Sequence, residues 1–90
     1  MTVIVKRDGE MERFDEKKLY ATIFRPAREA GYGKKKAEKF ADHITDQVTI
    51  WANGQEDQCV TSDEIRDKTQ ELLEEQDEAI AHRYELGKED

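Results

Sequence analysis

Lys6, Arg7, Lys17 and Lys18 place a set of cations within the first eighteen residues. Two precede a turn, Asp8-Gly9, and two open a helix, because "RFDEKK" at residues 13–18 reads as a strand end followed by a helix start. Asp15 has the chemistry of an N-cap, which puts Lys17 and Lys18 at the second and third helical positions. A helix presents unpaired N–H groups and the positive end of its dipole there, so acidic side chains are favoured and consecutive lysines are not. The penalty is about 0.3–1 kcal/mol. A polyanion would reverse it: helix N-termini bind phosphate, lysine adds charge, and arginine adds a bidentate fork. The competing reading is that Glu12, Asp15 and Glu16 neutralise these cations as surface ion pairs. The residues alone leave both readings open.

Other chemistry is sparse. The sequence holds no GxxxxGK[ST] phosphate cradle and no GxGxxG. No nucleophile–base pair or metal-ligand spacing is visible, so an enzyme is not expected. Cys59 is a single cysteine, and with His43 and His82 it makes no zinc pattern. His43 is expected on the polar side of its helix and His82 near a core face.

The elements that must position the cations follow from periodicity. "TVIVKRDGEMERF" reads as a hairpin over residues 2–14, closed at Asp8-Gly9 by a type I′ turn. That turn pairs Arg7 with Glu10, Lys6 with Met11, Val5 with Glu12 and Val3 with Phe14. Helices are expected over about 16–30, 34–53, 62–75 and 78–86. In the first, Leu19, Tyr20, Ile23, Phe24, Ala27 and Ala30 repeat at helical spacing; Phe14 and Leu19 form a hydrophobic staple, and Pro26 predicts a kink or break. The second carries Ala37, Phe40, Ala41, Ile44, Val48 and Trp51, and ends at Asn53-Gly54. Cys59-Val60 is a short extended piece. "TSDE" supplies a capping box for the third helix, Thr61 with Glu64, whose buried side is Ile65, Leu72 and Leu73. Asp77 caps the fourth, which carries Ala79, Ile80 and Tyr84 before a fraying tail, "LGKED". The fold class is α+β: a β-hairpin and a short third strand covering a four-helix array, in one domain spanning residues 1–90.

Composition bounds the rest. The chain has 90 residues, 41% of them charged, and a net charge of −7. That argues against general nucleic-acid binding. The charge is unevenly spread: residues 1–24 carry five basic and five acidic groups, 25–52 six and four, and 53–90 four and thirteen. Composition alone favours a solvated acidic face; the sharper reading is a local basic site on an anionic body. No apolar run approaches a membrane span, and the lone cysteine fits a reducing compartment, so a cytoplasmic protein is expected.

"VIVKRDGEMERFDEKKL" resembles the opening of the ATP-cone family, regulatory modules that bind ATP or dATP. The matching positions are Lys6, Arg7, Asp8, Gly9, Glu12, Phe14 and Lys18, and the likeness continues at "VTSDEI", residues 60–65, and "AHRYEL", residues 81–86. The resemblance implies a three-stranded sheet on four helices, with nucleotide under the hairpin. It implies that Lys6, Arg7 and Lys18 contact phosphates, and that the first-strand backbone near Ile4 and Val5, with Glu12, Phe14, Asp15, Leu19 and Thr61, surrounds adenine and ribose. Mg²⁺ is expected with the nucleotide. The resemblance further implies a nucleotide-metabolism enzyme or regulator as partner, and control through homo-oligomerisation; from charge and hydropathy, no direct nucleic-acid or membrane contact is expected. Neither a reductase catalytic domain nor a repressor's zinc ribbon lies within these residues, so a free-standing cone or an excised regulatory domain is expected. The family's further basic group near the end could only be Lys88. The alternative function is a protein–protein interaction module whose nucleotide site is weak or lost.

Overall fold

A computed structural model describes residues 2–87. The chain order is β1 (Val3–Val5), β2 (Met11–Arg13), α1 (Glu16–Glu29), α2 (Lys34–Asn53), β3 (Cys59–Thr61), α3 (Ser62–Gln76) and α4 (Glu78–Gly87), with a 3-10 turn at Glu56–Gln58 before β3. The strands form one sheet in the order β2-β1-β3, so the expected α+β class, hairpin plus third strand on four helices, is what the chain adopts. Lys88 and the end of the "LGKED" tail lie outside the described residues; Leu86 and Gly87 are still helical.

The hairpin closes through a different turn from the one expected. The Lys6 N–H donates to the Glu10 carbonyl at 2.8 Å, and the Gly9 N–H donates to the Lys6 carbonyl at 2.9 Å. The loop is therefore Arg7, Asp8 and Gly9, and only Gly9 has a positive φ, +88°. A type I′ turn needs positive φ at both central residues; a type I turn followed by a left-handed glycine needs only the one. The Asp8 carboxylate reinforces the loop by accepting from the Glu10 N–H at 2.9 Å. Pairing shifts by one residue as a result: Val3 faces Arg13, Ile4 faces Glu12, and Val5 faces Met11. Such a slip exchanges the faces of a strand. Glu12 thus joins Ile4 and Lys6 instead of Val5.

β1 also pairs in parallel with β3, Ile4 against Val60 and Val5 against Thr61. Ile4 and Val60 are buried in a core shared with Leu19, Ile23, Ile44, Val48, Leu73 and Ile80. α1 packs along α2, and α4 lies against α3 and α1. Phe40 and Trp51 of α2 are half-buried against this core. On α4 Ile80 is buried and Tyr84 packs against the core as expected, but Ala79 and His82 are exposed and Ala81 is buried instead.

Local chemistry explains the helix ends. Asp15 caps α1, its Oδ1 accepting from the Lys17 N–H at 2.9 Å and the Lys18 N–H at 3.4 Å. α1 runs unbroken through Pro26, which is buried and whose carbonyl still accepts from the Ala30 N–H at 2.9 Å. α1 stops in a Schellman motif: Gly31 has φ +101°, its N–H reaches Arg28, and the Tyr32 N–H reaches Ala27. α3 opens with the full capping box, Thr61 Oγ1 accepting from the Glu64 N–H at 3.0 Å and Glu64 Oε1 from the Thr61 N–H at 2.9 Å. α4 is capped by Asp77, whose Oδ1 accepts from the Ala79 and Ile80 N–H groups at 2.9 and 3.3 Å. Its other oxygen accepts a 2.6 Å bond from the Tyr32 hydroxyl, tying the α1–α2 corner to α4.

Two stability tests follow. Gly9→Ala should cost about 1–2 kcal/mol in urea unfolding, the penalty of a β-carbon in the left-handed region, although no atom stands where the new carbon would go. The Tyr32 hydroxyl, then the capping N–H groups and Lys36, hold the Asp77 carboxyl below its ordinary value. A depressed carboxylate stabilises the fold fully above the unfolded value, about pH 4, and loses that contribution as pH falls through the folded value. The stability gap between wild type and Tyr32→Phe should therefore be widest above about pH 4 and close on acidification, as read by urea unfolding at stepped pH.

Candidate functional site

The corrected register assembles a cleft beneath the hairpin. Ile4, Glu12 and Phe14 line it from the strands, and Asp15, Lys18, Leu19 and Thr22 line it from α1 and its cap. The opposite wall is Ser62, Ile65 and Arg66 of α3 with Tyr84 of α4. The cleft holds about 250 Å³ and opens, through Thr22, Arg66 and Tyr84, into a larger depression of about 740 Å³. Its walls are mixed: Ile4, Phe14, Leu19 and Ile65 offer an apolar face, while cations and carboxylates stand at the rim. Burial holds the Tyr84 phenol above its ordinary pKa, and its hydroxyl is bonded to Thr69. Both edges of β1 are hydrogen-bonded to other strands, so β1 meets the cleft with side chains rather than with a free backbone edge.

Of the residues singled out from sequence, Ile4, Glu12, Phe14, Asp15, Lys18 and Leu19 line this one cleft. Val5, Lys6, Arg7 and Thr61 do not. Val5 projects from the other face of β1. The Lys6 ammonium lies 3.2 Å from Glu12 Oε2, and that carboxylate raises its pKa. Arg7 leaves the hairpin tip for Asp63 of α3, with Nη2 3.0 Å and Nε 3.2 Å from Oδ1. Asp63 raises the Arg7 pKa. The Thr61 hydroxyl is engaged in its capping box.

Lys18 differs from the other two. It lines the cleft at the N-terminus of α1 and makes no ion pair among the described residues. Lys17 does not line the cleft. Sequence reasoning passed over Thr22, Ser62, Ile65, Arg66 and Tyr84 as cleft residues. Thr22 was legible, standing one turn beyond Lys18; Arg66 and Tyr84 reach the cleft only through the packing of α3 and α4 on α1.

A protein-family model described as the ATP cone domain matches residues 2–89. The chain belongs to the ATP-cone family. ATP-cone domains are nucleotide-binding regulatory modules that take ATP or dATP, and the module is not itself catalytic. A comparison with curated proteins found no match. The described part of this ATP-cone chain contains no helix long and apolar enough to cross a membrane. No group of three or more His, Cys, Asp or Glu side chains is arranged to hold a metal among the described residues.

The Lys6–Glu12 pair is partly exposed, with side chains 44% and 37% accessible. Water and salt screen pairs of that kind, so their net contribution to stability is small. Glu12→Gln should therefore shift the urea midpoint only slightly and leave the far-ultraviolet circular dichroism unchanged; a loss of several kcal/mol would mean that the pair is a structural requirement.

Proposed function

We propose that residues 1–90 form a single regulatory ATP-cone domain that binds ATP or dATP between the hairpin and the start of α1, and reports that state to a partner. The observation that carries this is Lys18: an ammonium without an ion-pair partner among the described residues, at a helix N-terminus, on the rim of a partly apolar cleft. In this reading Lys6, Arg7 and Lys18 hold the phosphates. Ile4, Glu12, Phe14, Asp15 and Leu19 surround the base and ribose, with Val5 and Thr61 supporting the strands behind them. The cleft alone is smaller than the roughly 300–1,000 Å³ of ligand pockets, so the ligand extends along the rim. Mg²⁺ would arrive on the phosphates, since magnesium is commonly held by one or two carboxylates plus substrate oxygens.

The protein acts as a cytoplasmic, non-catalytic sensor. Its partner is a nucleotide-metabolism enzyme or regulator of the ribonucleotide-reductase kind, addressed through a change in oligomeric state. Nucleotide can drive that change only by binding one assembly more tightly than another. Sedimentation with and without ATP and dATP reads this directly; an unchanged oligomer at saturating nucleotide rejects the assembly mechanism.

Calorimetric titration with ATP and dATP in the presence of Mg²⁺ tests the site. Wild type should bind at micromolar or tighter affinity. Lys18→Ala should weaken binding about ten- to a hundred-fold, the loss expected for a hydrogen bond to a charged group. Lys17→Ala should stay within about two-fold of wild type. A folded protein that ignores millimolar nucleotide would instead be an interaction module without a working site.

A further inference from the structure

The Arg7–Asp63 pair follows from the sheet. Val5 stands beside Thr61 in the parallel β1–β3 pair, and Arg7 and Asp63 each lie two residues further on. The pairing therefore delivers the hairpin tip to the first turn of α3, across 56 residues of sequence. The contact is forked: Nη2 reaches Oδ1 at 3.0 Å, and Nε lies 3.2 and 3.3 Å from Oδ1 and Oδ2. This is the geometry in which arginine takes a carboxylate or a phosphate. The same Oδ1 lies 3.9 Å from Arg66 Nη1, and Arg66 lines the cleft. One carboxylate thus stands between two guanidinium groups, one at the hairpin tip and one on the cleft wall.

Asp63 supplies what a phosphate group would supply to Arg7: a negative, bidentate oxygen pair at a helix start. The pair is also exposed, with side chains 74% and 50% accessible, so its net strength is small and a tighter anion can replace it. We propose that Asp63 is an internal competitor for Arg7, which a bound polyphosphate displaces, so that ligand binding unfastens the hairpin tip from α3. Asp63 then sets the affinity of the site, and the exchange converts phosphate binding into a change of contact between two elements. This inference rests on the nucleotide reading of the cleft.

Asp63→Asn removes the charge and keeps the shape, and with Arg7→Ala and the double variant it completes a cycle. Each protein is titrated with ATP and with adenosine at one low, fixed salt concentration, after circular dichroism has shown it folded. Exchange predicts that Asp63→Asn binds ATP about two- to five-fold tighter than wild type, with adenosine affinity unchanged. It also predicts that Arg7→Ala costs more in the Asp63→Asn background than in wild type, because there the guanidinium no longer gives up a partner. If wild type binds ATP but Asp63→Asn binds no tighter, or if Arg7→Ala costs the same in both backgrounds, Arg7 stays tied to α3 and the exchange is rejected while the nucleotide reading stands. If wild type binds no ATP, the nucleotide reading fails and the exchange with it.

Discussion

β1 is three residues long, and it hydrogen-bonds to β2 on one edge and to β3 on the other. The antiparallel register sets which β2 side chains share a face with Ile4, and so brings Glu12 to the cleft. The parallel register sets which part of α3 meets the hairpin tip, and so brings Asp63 to Arg7. Neither strand pair would be stable alone at this length. They persist because Ile4 and Val60 are buried against the helices. A register shift on either edge would keep the hydrophobic face of β1 and still dismantle the arrangement of charge around the cleft.

The parts of this structure legible in sequence are those whose determinants are local. Asp15, the Thr61–Glu64 box and Asp77 cap their helices within a few residues of themselves, and each is read from residue type and spacing. The α1 and α2 stripes are long enough for helical period to declare itself. The hairpin was legible as a hairpin but not in register, because Asp8-Gly9 suits two turns: both need Gly9 left-handed, and they differ in what they ask of Asp8. Pro26 does not break α1, because the cost of proline in a helix is a local rule, while the gain from burying its ring depends on the neighbouring helices. On α4 the sequence placed Ile80 and Tyr84 correctly but not Ala79 and His82, because ten residues give period little to work with.

The cleft shows the same division. Its hairpin and α1 side lies within residues 4 to 22, where resemblance and spacing both reach. Its other wall comes from α3 and α4, and nothing near Arg66 or Tyr84 in the chain points back to Lys18. The Arg7–Asp63 pair is the extreme case. It joins the hairpin tip to a residue 56 positions away, and it follows only from the pairing of β1 with β3.

In a protein of net charge −7, two of the three cations singled out at the hairpin and the start of α1 are held by carboxylates. Lys6 leans on Glu12 and Arg7 on Asp63, while Lys18 has no ion-pair partner among the described residues. The two pairs differ in what their exchange would do. Lys6 and Glu12 belong to the same hairpin, so moving Lys6 to a phosphate rearranges charge inside one element and leaves the contacts between elements as they were. Arg7 and Asp63 belong to different elements, so moving Arg7 removes a tie between hairpin and α3. Both pairs are exposed enough that water and salt hold their worth to a fraction of a polyphosphate's attraction. Of the two exchanges, only the second would turn the arrival of an anion into a structural difference between elements.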